Sequence, residues 1–108
     1  MIEDKRKKQL DELKNKLDEC LGSDTFRIIL FGSRARGDYS EESDVDVAVI
    51  VRGLTKKLKN RILELIAEIE LESLLPMSAI VFSEDEFVHL KKRERRIAID
   101  IDKEGVPL

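Results

Sequence analysis

A chain of 108 residues with a net charge of −3 has room for one domain with a modest core, which excludes a catalytic domain joined to a separate substrate-binding domain. The acidic balance argues against a basic face broad enough to grip nucleic acid unaided. A single cysteine, Cys20, excludes a disulfide framework within the chain, and with no apolar signal core and no run of membrane-spanning length the expected location is the cytoplasm, with no membrane partner.

From Glu3 to about Leu21, the residues Leu10, Leu13, Leu17 and Leu21 recur at helical spacing between Lys, Asp and Glu, which predicts an amphipathic helix with one face on the core. Cys20 lies beside that stripe and is expected to pack. Lys5, Arg6, Lys7 and Lys8 are flanked by Glu3, Asp4, Asp11 and Glu12 and are expected to form a solvated face. Gly22-Ser23-Asp24 ends the helix, and Phe26 to Phe31 follows as an inner strand.

Gly32 then lets the backbone turn sharply, and Ser33 can place its hydroxyl and neighbouring N–H groups at the start of a short helical turn, a position suited to anions. Arg34 is expected to meet phosphates, with Arg36 a weaker candidate; the competing expectation pairs one or both with Asp38, Glu41 or Glu42. Tyr39 either shields the site or anchors its loop. Next comes the strand Asp44 to Val51. Asp44 and Asp46 are two apart, so on an extended backbone they leave one face while Val45, Val47 and Val49 leave the other. Paired carboxylates repel and cost desolvation, and a divalent cation between them removes both penalties. Magnesium fits, since it is commonly held by one or two carboxylates plus substrate phosphates.

Beyond Gly53, Thr55 is expected to cap a helix running to about Leu75, with Leu58, Ile62, Leu65, Ile66 and Ile69 as its apolar stripe, and Pro76 stops it. Met77 to Phe82 reads as a third strand. Ser83 is an expected N-cap, with Glu84, Asp85 and Glu86 in the first turn of a helix through about Arg93. His89 reads as a helix-surface residue and Lys91 to Arg96 as a charged helix end. In the tail, alternation at Ile97, Ile99 and Ile101 predicts a short edge strand or docking segment, with Asp100 and Asp102 facing solvent.

Gly32-Ser33, ten residues, then Asp44-Val45-Asp46 resembles the GSx10DxD signature of the minimal nucleotidyltransferases of the DNA polymerase β-like superfamily, and the resemblance covers essentially the whole chain. It implies an α/β fold, a small mixed sheet of the three strands with helices mainly on one face and the metal site on the other. It further implies that Mg-ATP sits between Gly32-Ser33 and Asp44/Asp46. Gly32, Ser33 and Arg34 would hold the nucleotide, Asp44 and Asp46 would bind Mg2+ and act in catalysis, and AMP would pass to a hydroxyl with release of pyrophosphate. Many proteins of this resemblance are paired with a small helical HEPN protein, a toxin nuclease that the transferase neutralises by adenylylation, which implies a protein acceptor and an antitoxin role. The superfamily usually supplies a third acid from the strand after the long helix, where this chain has Ser78. The alternative is therefore a binding module that neutralises its partner by docking. Exposed apolar edges are also compatible with a homodimer.

Overall fold

Alternation along Val45 to Val51 sends odd-numbered side chains to one face and even-numbered ones to the other, and in the folded chain both sets are buried beyond Asp46. This strand therefore lies inside a sheet covered on both sides. The computed structural model describes residues 4–37 and 44–108. Asp38, Glu41 and Glu42, the expected partners of the two arginines, and Tyr39, expected to shield the site or anchor its loop, lie outside the described residues.

The elements run α1 (Asp4–Leu21), β1 (Phe26–Phe31), α2 (Ser33–Arg36), β2 (Val45–Val51), α3 (Lys56–Ser73), β3 (Met77–Ser83), α4 (Glu84–Lys92), α5 (Arg96–Glu104) and β4 (Val106–Pro107). They build a mixed four-stranded sheet in the order β3-β2-β1-β4. β1 runs antiparallel to β2 and to β4, while β2 and β3 are parallel. The parallel pair requires a crossover, which α3 supplies.

The long helices α1 and α3 cover one face, where Leu13, Leu17, Ile62 and Ile69 meet Ile28, Leu30, Val45, Val47 and Val49. The shorter α4 and α5 cover part of the other, packing Phe87, Ala98 and Ile101 on Ile29, Ala48, Ile50 and Phe82. Local chemistry fixes the ends of these helices. The Thr55 Oγ1 accepts from the Leu58 N–H at 3.1 Å, and Ser83 and Glu86 form a reciprocal capping box.

Three expectations change. Arg6 is buried rather than solvated, donating to the Pro76 carbonyl at 2.6 Å, while Gln9 donates to the Leu75 carbonyl at 2.8 Å and to Ser73 Oγ at 3.1 Å. These bonds satisfy carbonyls at the α3–β3 connection and tie the start of α1 to it. Cys20 is exposed rather than packed, because it falls just off the leucine stripe. The Ile97–Ile101 segment is helix, not edge strand. Ile97 and Ile101 are four apart as well as alternating, and burial of Ala98 and Ile101 against the sheet selects the helical reading. Only Val106 and Pro107 pair at the edge, opposite Leu30 and Ile29.

Candidate active site

The site begins where β1 ends. Gly32 has φ 77° and ψ −156°, a combination essentially confined to glycine. Its missing side chain has a second use: a Cβ there would overlap Oδ2 of Asp46 and stand 3.2 Å from its Cγ. The backbone turn thus forms a notch that receives the Asp46 carboxylate. The register explains this meeting, since Asp46 pairs with Phe31, the residue just before the notch.

After the notch, Ser33 to Arg36 form a single helical turn, closed by Arg36 N–H to the Gly32 carbonyl at 3.2 Å and Gly37 N–H to the Ser33 carbonyl at 2.9 Å. The first N–H groups of such a turn have no partner inside the helix and point away from its start. Ser33 is half-buried beside them. The two arginines part company: residues two apart on a helix are about 200° apart around its axis. Arg34, the expected phosphate ligand, is buried and lines a cavity of about 610 Å³ with Leu10, Asp11 and Lys14 of α1 and Leu108. That cavity lies on the α1 side of the sheet, whereas Asp46 shares the other face with Ala48 and Ile50. Arg36 turns the other way. It pairs with Glu104 at the end of α5 at 3.3 Å, and its charge is felt by Asp46. Helical geometry within the Ser33–Arg36 turn is the signal that would have separated the two; Glu104 carried no signal, because its place depends on α5 being a helix.

Asp44 is exposed immediately before β2, and Asp46 is half-buried in it. Burial raises the proton affinity of Asp46 above the ordinary value of 3.8, the neighbouring Asp44 charge raises it further, and Arg36 opposes both. Its ionised form is thus undercompensated by the protein's own charges. A hard divalent cation supplies what is missing, and two carboxylates are an appropriate donor set when phosphates complete the coordination. Among the described residues no group of three His, Cys, Asp or Glu comes together to hold a metal. The position beside Asp46 on β3 is taken by Ser78, which is exposed.

The raised Asp46 pKa has a consequence for stability. In the metal-free fold Asp46 keeps its proton to a higher pH than in the unfolded chain, so between 3.8 and the raised value the native state binds more protons and stability falls as pH rises. Asp46→Asn removes that charge. Thermal melts without metal are expected to show the variant more stable than the parent by about 1 to 5 °C at neutral pH, with the gap closing as pH falls through the carboxylate range. A variant less stable than the parent at neutral pH would contradict this.

The family model for the nucleotidyltransferase domain matches residues 6–102. A relative from Methanocaldococcus jannaschii, provisionally named a protein adenylyltransferase, is 39% identical over 74 residues, covering 68% of this chain and 75% of its own length. A second from the same organism, with the same provisional name, is 48% identical over 52 residues, or 48% of this chain and 35% of its own. Among solved structures, a provisionally assigned nucleotidyltransferase from Sulfolobus solfataricus aligns with 99% of this chain and 87% of its own at 22% identity, with a TM-score of 0.49. Among the described residues no helix is long and apolar enough to cross a membrane.

Proposed function

We propose, on the premise that this chain belongs to the nucleotidyltransferase domain family, that it transfers AMP from ATP to a hydroxyl of a small helical partner protein and releases pyrophosphate. The observation that carries the reading is the Gly32 notch: the turn that begins the helical turn at Ser33 lies directly against the Asp46 carboxylate, which supports a site shared by a carboxylate and N–H donors. The names of the relatives favour a protein acceptor. The resemblance of the signature to the minimal nucleotidyltransferases favours a HEPN-type partner, an antitoxin role and work in the cytoplasm.

In this mechanism Asp44 and Asp46 would hold magnesium, which when bound would supply charge neutralisation at the phosphates. Gly32 keeps the Asp46 carboxylate in place, and the Ser33 hydroxyl with the adjoining N–H groups holds the triphosphate. Arg36, steadied by Glu104, is the cation we assign to the phosphate side of the site, and Arg34 supports the turn from the α1 side. The test is intact-protein mass spectrometry of a small helical partner incubated with this chain and Mg-ATP. Added AMP that disappears with Asp44→Asn/Asp46→Asn supports the reading; an unchanged partner mass counts against it.

Ser78 favours the second reading, a docking module with little or no transfer, because it stands where a proton acceptor beside Asp46 is wanted. A general base contributes about 10² to 10⁴ in rate. Ser78→Asp is therefore expected to raise transfer by roughly 10-fold or more in the same mass assay. Absence of transfer in both parent and variant, with the partner still bound, would select docking.

A further inference from the structure

Residues 91–96 carry five bases and one acid, a local charge of +4 in a chain whose net charge is −3. They join α4 to α5. The Arg95 N–H donates to the Leu90 carbonyl at 3.0 Å and the Glu94 N–H to the Lys91 carbonyl at 3.0 Å, the pair of bonds that closes a helix through a left-handed residue. Glu94 is that residue, with φ 55°.

The residues in this turn are not those the turn itself favours. Glycine or asparagine usually fills the left-handed place, and an apolar residue commonly follows it to pack back on the helix; this chain has Glu94 and Arg95, both exposed. The helix dipoles add a further mismatch. Bases at the end of α4 are favoured, but Arg95 and Arg96 stand at the start of α5, where acids are favoured and the first turn has none. Fold stability therefore does not account for these two arginines.

Internal pairing does not use up the charge either. Lys91 pairs with Asp102 at 3.4 Å and Arg96 with Asp100 at 3.5 Å, while Lys92, Arg93 and Arg95 are exposed and form no ion pair among the described residues. Beside them, Leu90 and Ile97 are only half-buried against the apolar cluster under α4 and α5. The same helices lead to the candidate active site. Glu104, the partner of Arg36, lies about 12 Å along α5 from Arg96, on the side of the sheet that Asp46 shares.

We propose that this turn docks an acidic segment of the acceptor protein, a reading that rests on the protein acceptor proposed above. Lys92, Arg93 and Arg95 meet carboxylates, Leu90 and Ile97 meet apolar side chains between them, and the length of α5 separates the docked segment from the nucleotide site. A nucleic acid fits less well. Residues 92–96 span at most about 14 Å, room for only a few phosphates. The remaining chain carries −7, the difference between −3 and +4, and repels a longer polyanion.

Fluorescence anisotropy of a labelled short peptide of alternating Glu and Leu, titrated with the full chain, tests the proposal. The parent is expected to bind with a Kd below about 100 μM, weakening as salt is raised. Lys92→Glu/Arg93→Glu/Arg95→Glu is expected to weaken binding about tenfold or more, and the neutral Lys92→Gln/Arg93→Gln/Arg95→Gln by a smaller factor. Lys56→Glu/Lys57→Glu/Lys59→Glu makes the same change in net charge on the opposite side of the sheet, and is expected to leave affinity within about twofold. Circular dichroism checks that each variant is folded. The titration contains no ATP, so its outcome is separate from that of the transfer assay. A parent Kd above about 100 μM overturns the proposal, as do unchanged affinity in the Lys92, Arg93 and Arg95 variants and equal weakening in the α3 variant, the mark of net charge alone. Tighter binding of the parent to a single-stranded oligouridylate of equal charge also overturns it and assigns the turn to nucleic acid.

Discussion

Gly32→Ala is expected to abolish detectable nucleotide transfer and to lower the melting midpoint, because it attacks one point twice. An L-residue at φ 77°, ψ −156° costs about 1 to 3 kcal/mol in backbone strain. The added methyl also meets the Asp46 carboxylate, and there is no slack in the turn, since Phe31 is locked opposite Asp46 in the ladder. Relief requires the carboxylate to leave the notch, which removes it from the site. Gly37→Ala is the control: Gly37 has φ 85° and, among the described residues, nothing within 4 Å of an added Cβ. That variant is expected to lose about 1 kcal/mol of stability from the left-handed backbone alone while retaining nucleotide binding. Paired measurements of melting and ATP affinity check both. Equal loss of ATP affinity in the two variants would show that general strain, and not the notch, is responsible.

Asp46→Asn is expected to lower transfer by roughly 10³-fold, the scale on which a principal charge-stabilising group acts in phosphoryl transfer. The same substitution is expected to raise stability at neutral pH. Activity and stability thus move in opposite directions at one residue, which is the mark of a carboxylate retained for function and not for the fold. Asp44→Asn is expected to cost less, since Asp44 is exposed and lies outside the strand. Steady-state rates on the AMP-accepting partner, beside thermal melts, check the pair. A variant at Asp46 that loses stability and rate together would point to misfolding instead.

Much of this was legible in the sequence for physical reasons that can be named. The valines and isoleucine from Val45 to Ile50 could hardly be anything other than a buried strand, and Thr55, Pro76 and Ser83 marked element ends through local hydrogen bonding and ring geometry that do not depend on the rest of the fold. The spacing of Asp44 and Asp46 predicts one face only on an extended backbone, and Asp44 lies just before β2, where that local reason does not reach. What stayed hidden depended on long-range packing. Ile97, Ile99 and Ile101 satisfy both strand and helix periodicity, and only the apolar patch around Ile29 and Ile50 decides between them. Arg6 looks like its lysine neighbours until the α3–β3 connection presents carbonyls to it. Arg34 and Arg36 are equivalent in composition and differ only in which side of one helical turn they occupy. Ser78, by contrast, was identified by position in the chain, and the parallel register sets it beside Asp46.

The central claim is that the two aspartates and the Gly32-Ser33 turn form one site for a metal-bound nucleotide. Calorimetric titration of the full chain with ATP, with and without magnesium, tests it without any knowledge of the acceptor. Binding is expected to strengthen at least about tenfold with magnesium, a gain of about 1.4 kcal/mol, and the magnesium dependence to vanish in Asp44→Asn/Asp46→Asn. ATP binding of equal strength with and without magnesium, or unchanged in the double variant, would contradict the claim.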